Sequence, residues 1–392
     1  MEKNNKPLNV PHLRFPEFSG EWESKRLDEC VTFLDEQRKP IKSTERSSES
    51  KLYPYYGASG VIDYIDDYIF DEELILLSED GANILDRNYR VAFIIKGKTW
   101  VNNHAHVLKP MKNVDISYLS EYLESLKYEK YNTGSTMPKL NQEVCRSIRV
   151  WMPQYEEQSK IGRLLSVINE RIETQKKIIE DLKKLKDAIN NSLHNYINAF
   201  QLFSFNELGN DYSGLTGKSS EDFGSGLPYI SYLNVLRNDI VTNGQFDCVK
   251  VSKTEKQNVV SYGDLLFTLS SETPSEVGIG SVYLGKTNPI YLNSFCFGVH
   301  LSNQGNIYGP YLAYFVTSQY FRKTILPFAQ GSTRYNLMKS DFMKHKFRFP
   351  NMATQKAIYN TLHTLSEKIQ NEEVCLNKYT EQKQYLLARL FI

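Results

Sequence analysis

Two stretches of the chain share one apolar pattern: IGRLLSVINERIETQKKIIEDLKKLKDAINNSL at residues 161–193 and IYNTLHTLSEKIQNEEVCLNKYTEQKQYLLARL at residues 358–390. Their apolar residues recur at spacings that alternate between four and three, the heptad pattern of a helix that packs against another helix. The pattern is interrupted at equivalent positions, by Gln175 and Lys186 in the first copy and by Glu372 and Lys383 in the second. The predicted seam residues are Ile161, Leu165, Ile168, Ile172, Ile179, Leu182, Ile189, Leu193, Ile358, Leu362, Leu365, Ile369, Leu376, Tyr379, Leu386 and Leu390.

These stretches belong to a longer internal repeat, in which the second copy follows the first by 197 positions (134 to 331). The shift takes Gly134-Ser135-Thr136 to Gly331-Ser332-Thr333, and it takes Gln158 to Gln355. No gap is needed between residues 134 and 193. Because the shift is about half the chain length, the protein is predicted to contain an internal duplication with pseudo-two-fold character.

Each heptad stripe is predicted to form one long helix. A narrow apolar stripe sustained over about four to five heptads needs a partner helix, and the other copy is the obvious partner. We therefore predict an intramolecular antiparallel coiled coil. The alternative is that each helix packs on the domain that precedes it.

The segments upstream of the helices differ from them in composition. They are rich in Tyr, Phe, Val, Ile and Thr, and turn residues separate short strand-like runs. The predicted fold class is α+β, with two mixed α/β domains at 12–152 and 203–350 that are separated by long helices at 153–197 and 351–392. Strands are predicted at 73–77, 91–95, 265–269, 280–283 and 297–301, and shorter helices at 116–130 and 309–326.

Bulk composition limits the classes of protein. The chain has 392 residues, a formal net charge of +1 and five cysteines, Cys30, Cys145, Cys248, Cys296 and Cys375. The low net charge argues against a polybasic DNA binder, but it permits local positive groups. The cysteines are odd in number and form no CxxC pair, which favours a reducing cytoplasm over a disulfide framework or a structural zinc site. We expect no membrane span and no signal peptide.

Several motifs resemble those of type I restriction-modification specificity subunits, the S subunits. In the first half they are YPYYGASGVI at 53–62, SEDGAN at 78–83, WVNNHAHVL at 100–108, and GST at 134–136 followed by WMPQYEEQSKI at 151–161. In the second half they are GLPYI at 226–230 and QGSTR at 330–334. One departure is that the second copy lacks the acidic pair found at Glu156 and Glu157, which leaves the capping of the second helix open.

The resemblance implies two target recognition domains, each of which reads one half of a split, asymmetric double-stranded DNA target. It also implies two methyltransferase subunits docked on the helices and restriction-translocase subunits in the full complex. S-adenosylmethionine, ATP and magnesium would then be bound by those partners, and this chain would bind no cofactor or metal and perform no catalysis. A helix of about 40 residues is roughly 60 Å long, which is enough to hold two readers more than one DNA turn of about 34 Å apart.

Candidate DNA contacts are the polar side chains of these motifs and of nearby turns, because hydroxyls, amides and cations bind phosphates or base edges. The GST segments could instead be turns whose hydroxyls cap local backbone. His104 and His106 share one side of a predicted strand, which leaves burial and DNA contact both open, and a metal site would lack a third ligand. The candidates are Tyr56, Ser59, Arg87, Asn88, Arg90, Asn102, Asn103, His104, Ser135, Thr136, Lys139, Ser270, Ser271, Lys286, Asn293, Ser332, Thr333, Arg334, Tyr335 and Asn336.

Two other classes of function are kept as alternatives. One is a stand-alone DNA methyltransferase or nuclease, and the other is a coiled-coil scaffold with no DNA role. The chain has no Pro-Pro dipeptide, which the tetrapeptide of DNA amino-methyltransferases requires, and this weighs against the first alternative. The two strand-rich heads weigh against the second.

Overall fold

The computed structural model describes residues 9–46, 52–195, 199–242, 244, 246–252, 254–302 and 305–392. By contacts, the chain divides into unit 1, Met1–Lys177 with Val374–Ile392, and unit 2, Ile178–Glu373. The division falls within both long helices, so each unit contains one head and part of each helix. The last two residues of the predicted range 153–197 lie outside the described residues. None of the helices described is both long and apolar enough to cross a membrane.

Unit 1 contains one mixed head, which we call head 1. Its strands are β1 (Glu23–Arg26), β2 (Val31–Phe33), β3 (Tyr53–Gly57), β4 (Gly60–Ile65), β5 (Phe70–Asp71), β6 (Leu74–Ser78), β7 (Ala92–Ile95), β8 (Lys98–Val101), β9 (Ala105–Pro110) and β10 (Arg149–Met152). Its helices are α1 (Asn83–Asp86), α2 (Ile116–Ser125) and α3 (Gln142–Ser147), and they precede the long helix α4 (Tyr155–Asn195). The strands form sheets in the orders β2-β9-β6-β7, β4-β3-β8-β5 and β1-β10.

Unit 2 contains the second head, head 2. Its strands are β11 (Phe200–Phe203), β12 (Gly209–Ser213), β13 (Phe223–Ile230), β14 (Ile240–Val241), β15 (Asp247–Val249), β16 (Leu265–Thr268), β17 (Ser270–Ser271), β18 (Gly280–Tyr283), β19 (Tyr291–Leu292), β20 (Cys296–Leu301), β21 (Ala329–Gln330), β22 (Tyr335–Leu337) and β23 (Phe347–Pro350). Its helices are α5 (Phe205–Leu208), α6 (Tyr232–Arg237), α7 (Leu312–Phe315), α8 (Gln319–Ile325) and α9 (Lys339–Lys344), followed by the long helix α10 (Met352–Leu390). The sheets run β12-β20-β16-β18-β14, β15-β13-β19, β17-β22-β21 and β11-β23.

The central strand of each head is a short apolar run that the sequence predicts within one residue, β6 in head 1 and β16 in head 2. The predicted shorter helices are less continuous than expected. Helix α2 ends at Ser125, and a single 3-10 turn follows at Glu129–Tyr131. The predicted helix at 309–326 is interrupted because Ser318 caps a new helix, α8, by accepting a hydrogen bond from the amide of Phe321.

Both long helices pack through the predicted seam. None of the sixteen seam residues is exposed: nine are buried and the other seven are partly buried. In unit 1, Leu165 near the start of α4 and Leu390 at the end of α10 belong to one buried core. In unit 2, Leu193 near the end of α4 packs against the core that contains Leu362 of α10. The order of the two helices is therefore reversed, which is the antiparallel arrangement.

A buried glutamine joins the start of each long helix to the head that precedes it. Gln158 accepts from the backbone N–H of Asp115 at 3.0 Å and donates to the carbonyl of the proline five residues earlier at 2.8 Å. Gln355, its equivalent in the repeat, accepts from the N–H of Tyr308 at 2.8 Å and donates to its own preceding proline at 2.8 Å. Helix α10 is capped although the acidic pair is missing, because the Asn351 side chain accepts a hydrogen bond from the Thr354 N–H at 2.9 Å.

The lysines that interrupt the seam are ion-paired to the heads. In unit 1, Nζ of Lys383 lies 3.1 Å from Oε2 of Glu121, a carboxylate that is 5% exposed. The other oxygen of Glu121 accepts from Asn169 at 2.9 Å. In unit 2, Lys186 pairs with Asp239, which is 31% exposed. The repeated polar position therefore anchors the end of each helix to a head.

Candidate nucleic-acid interface

Four loop segments of head 1 lie side by side, and three of them come from the quoted motifs upstream of the GST segment. Backbone hydrogen bonds join Asn102 N to Tyr56 O at 3.0 Å and Glu79 N to His104 O at 2.9 Å. The N–H of Leu140 donates to Glu79 O at 2.7 Å, which brings in the GST loop. We call the surface formed by residues 57–60, 79–83, 102–104 and 133–139 motif face 1.

Charges of both signs meet on motif face 1. Glu79 accepts from Arg38 at 2.6 Å and lies 3.4 Å from the Lys139 ammonium. The neighbouring Asp80 pairs with Nδ1 of the exposed His104 at 2.9 Å. A surface of this kind offers both donors and acceptors to a polar ligand rather than a simple positive field.

A buried ion pair supports the GST loop from beneath. His106 is 1% exposed, and its Nδ1 lies 2.6 Å from Asp35 while its Nε2 lies 2.8 Å from the carbonyl of Leu140. Burial alone would lower the pKa of His106, but its hydrogen bonds, above all the one to Asp35, raise the pKa to about 10. The charged imidazole therefore donates from both nitrogens and fixes the end of the GST loop.

In head 2, the second GST segment forms the tip of a hairpin. In the pair of strands β21 and β22, Ala329 lies opposite Leu337 and Gln330 lies opposite Asn336. Residues 331–334 therefore form the connecting loop. Strand β22 also pairs with β17. The loop 293–295 lies beside them, because Leu269 N donates to Phe295 O at 2.7 Å. We call residues 270–273, 293–295 and 331–336 motif face 2.

The two faces have the same local framework. Asp80 bridges to Lys139 in head 1, and Ser270 pairs with Asn336 at the equivalent position in head 2. A Cβ added to Gly134 would lie 1.8 Å from Met137 O, and one added to Gly331 would lie 2.0 Å from Arg334 O. Each glycine is therefore needed for a close approach to the carbonyl three residues later, and the two loops turn alike.

A family model for the type I restriction modification DNA specificity domain matches the chain twice, at residues 19–184 and 201–379. The chain belongs to the type I restriction-modification DNA specificity family. The resemblance expected from the motifs is thereby confirmed, and so is the fold of two heads with two long antiparallel helices. The family provides specificity and is not catalytic, so we assign no catalytic residue to this member.

Relatives of the specificity family cover different shares of the chain. A putative type I restriction enzyme specificity subunit of Haemophilus influenzae is 32% identical over 42% of this chain, but the match spans only 41% of that relative. The MjaVIII specificity subunit of Methanocaldococcus jannaschii is 22% identical over 94% of this chain and 90% of its own length. The crystal structure of a type I S subunit from M. genitalium has a TM-score of 0.62 at 15% identity, covering 98% and 99% of the two chains, and shows the same fold.

Most of the predicted DNA contacts lie on the two motif faces. On face 1 the exposed ones are Ser59, Asn103, His104, Ser135, Thr136 and Lys139, and Tyr56 beside them is half-buried. On face 2 the exposed ones are Ser332, Thr333, Arg334 and Asn336, with Asn293 and Tyr335 half-buried. Lys286 is exposed on the loop after β18. All of these remain predictions as DNA contacts.

Three predicted contacts are buried, which does not fit a role in touching DNA. Asn102 is 4% exposed, and its side-chain oxygen accepts from the amide of His104 at 2.8 Å. Ser270 and Ser271 are 7% and 9% exposed, and the Ser271 hydroxyl donates to Glu276 at 2.6 Å. Each of these polar side chains is hydrogen-bonded within its own head, and we correct their assignment to supporting residues.

The loop at 87–90 is tied to helix α2 rather than free. Arg87 pairs with Glu124 at 3.1 Å, and Arg90 pairs with the buried Glu121. The two arginines therefore have carboxylate partners, as His104 and Lys139 do, and they remain predictions as DNA contacts. Asn88 between them is exposed and keeps its prediction as a DNA contact.

Sequence reasoning missed two large exposed side chains on the motif faces. Met137 is 61% exposed on face 1, and Phe295 is 48% exposed on face 2. Apolar residues are ordinarily assigned to the core, so neither was proposed as a contact. The described residues contain no group of three or more His, Cys, Asp or Glu side chains placed to hold a metal ion.

Proposed function

We propose that this chain reads a bipartite, asymmetric double-stranded DNA target, with motif face 1 on one half-site and motif face 2 on the other. The observation that carries the proposal is the equivalence of the two loops: the same bridge and the same glycine approach present different side chains. A shared framework with different surfaces suits a reader of two dissimilar half-sites. We assign the readers to 12–152 and 203–350, and the helices to 153–197 and 351–392.

Each motif face has side chains suited to phosphate contacts and others suited to base contacts. We assign phosphate binding to the hydroxyls of Ser135, Thr136, Ser332 and Thr333, because they are exposed next to closely approaching backbone. We assign base reading to longer donors and acceptors such as Asn103 and Asn336. Phosphate contacts set affinity and salt dependence, whereas base contacts set sequence preference.

We further propose that the long helices bind two methyltransferase subunits, and that restriction-translocase subunits join this assembly. We place this docking on the helix surfaces that carry exposed apolar residues. They are Tyr155, Val167, Ile178, Leu185, Val374 and Tyr385. S-adenosylmethionine, ATP and magnesium are assigned to the partners. A cytoplasmic location fits the five cysteines, all of which are free thiols.

The experiment that tests the proposal is methylation sequencing of a host that carries the complete system, with and without this gene. We expect one split asymmetric motif that disappears on deletion. Replacing residues 12–152 by those of a relative is expected to change one half of the motif and leave the other half intact. Methyl transfer by the purified chain alone, or a motif that survives deletion, would refute the proposal.

A further inference from the structure

Arg334 occupies the tip of the β21–β22 hairpin and is held on one side only. Its Nε donates to the hydroxyl of Ser270 at 3.3 Å. Its guanidinium carbon lies 4.8 Å from the centre of the Phe295 ring. Neither Nη1 nor Nη2 donates to any described residue, so the outer edge of the guanidinium is available to a ligand.

The backbone of Phe295, whose ring lies beneath Arg334, is held on both sides. Phe295 N–H donates to the side-chain oxygen of Asn293 at 2.9 Å, and Phe295 O accepts from Leu269 at 2.7 Å. A guanidinium that lies over an aromatic ring and already donates one hydrogen bond loses less freedom when it binds. Arg334 is therefore preorganised for a planar, two-point contact.

The surroundings of Arg334 favour a base edge over a phosphate. An open pocket of about 310 Å³ beside it is lined by Glu272 and Glu276 as well as by Phe295. Two carboxylates next to one guanidinium repel a phosphate and reduce the local positive field. They repel an uncharged base edge much less than a phosphate, and the two acceptors of guanine match the fork of an arginine.

Head 1 presents different chemistry at the equivalent position. Met137 lies 197 positions before Arg334, and the carbonyls of both residues receive the same close approach from the loop glycine. Met137 is exposed but carries no hydrogen-bond donor on its side chain. The same place in the repeated framework thus holds a donor fork in one head and an apolar side chain in the other.

We propose that Arg334 is a specificity-determining residue that reads one guanine of the half-site bound by head 2, through two hydrogen bonds from its terminal nitrogens to O6 and N7. This inference rests on the proposed function and adds to it a base identity at one position. Phe295 acts as a positioning residue, since it holds the guanidinium plane and does not itself contact the base. Position 137 in head 1 lacks this guanine preference.

The test compares Arg334→Met with Arg348→Met in the complete complex. Arg348 is a matched control, because it is also exposed and also stacks on a phenylalanine, Phe200, at 4.7 Å, but lies on β23 outside the motif faces. Motifs are determined by methylation sequencing, and binding of the wild-type target is measured at several salt concentrations. Arg334→Lys, which keeps the charge but not the fork, and Phe295→Leu complete the set.

We expect Arg334→Met to make one guanine position of one half-site degenerate, and to weaken binding of the wild-type target by roughly 10- to 100-fold. Arg334→Lys keeps a donor but loses the planar fork, so it should reduce the same guanine preference by a smaller factor. The other half-site and the Arg348→Met motif stay unchanged. Phe295→Leu is expected to give a smaller loss at the same position.

Two outcomes overturn the inference. An unchanged motif in a complex that still assembles shows that Arg334 reads no base. A loss of affinity that is equal for all DNA sequences, with a lower salt dependence and full rescue by lysine, identifies a phosphate contact instead. Failure of the proposed function is recognised separately, because the wild-type complex would then produce no motif that depends on this chain.

Discussion

Replacing Lys383 by methionine should destabilise unit 1 much more than the equivalent change at Lys186 destabilises unit 2. Lys383 and Glu121 are 15% and 5% exposed, whereas Lys186 and Asp239 are 18% and 31% exposed. Removing one partner of a buried pair costs about 3–5 kcal/mol, and an exposed pair contributes about 0–1 kcal/mol. Because Arg90 still pairs with Glu121, we expect about 3 kcal/mol for Lys383→Met. For Lys186→Met we expect about 1 kcal/mol, since Asp239 can be solvated.

The assay is urea unfolding of the full chain, combined with hydrogen exchange that reports on α2 and on the end of α10. Methionine keeps the length and the helix propensity of lysine, so the difference measures the lost charge. A double variant that also carries Glu121→Gln should cost less than the sum of the two single variants, because both changes remove the same ion pair. Equal costs for the two lysine variants, or a Lys383→Met protein with unchanged exchange in α2, would refute this reasoning.

Three further predictions follow from particular contacts. The pKa of His106 rises from 6.5 to about 10 on folding. Its pairing therefore stabilises the fold fully below about pH 6.5 and less as the pH rises towards 10. In urea titrations, His106→Gln should cost about 3 kcal/mol at pH 6 and clearly less at pH 10. Gly331 has a φ of 150°, and a Cβ added there would lie only 2.0 Å from a carbonyl oxygen. Gly331→Ala should therefore weaken specific DNA binding about 10-fold or more, measured by titration. Gly244→Ala, where no atom lies within 4 Å, is its control. Gln355→Ala leaves the buried carbonyl of Pro350 and two part-buried groups, the Tyr308 N–H and the Asn306 carbonyl, without their partner. It should cost about 2 kcal/mol of unfolding free energy, and a change below about 0.5 kcal/mol in the same urea titration would contradict that role for the glutamine.

The long helices could be predicted from the sequence because their signal is local and repeated. Heptad spacing identifies a helix and its buried face without knowledge of distant residues, and the duplication supplies the partner. The sequence left open whether each helix packs on a partner helix or on its own head. The structure contains both kinds of contact, since Leu165 shares a core with residues of head 1 and with Leu390.

The motif faces could be predicted only in part, because their formation depends on contacts between distant residues. The sequence identified the motif segments but did not predict that they lie side by side, and local sequence does not reveal which side chains are already paired with a neighbouring segment. Arg90 has the right chemistry to bind DNA, yet its carboxylate partner lies 31 residues away on α2. Phenylalanine is usually a core residue, but Phe295 lies in a turn that the Asn293 side chain closes, and its ring is exposed.

The glutamine joints at the helix starts bear on how such a protein can be re-engineered. Both Gln158 and Gln355 bind the heads through backbone N–H and carbonyl groups, and neither uses a head side chain. A foreign head with the same loop path would offer the same backbone groups whatever its residues are. The glutamine joints therefore impose almost no demand on the grafted sequence, whereas a foreign head must still supply a carboxylate at the position of Glu121 or Asp239. Cassette exchange that keeps the backbone at residues 113–115 and 306–308 and this carboxylate should preserve folding.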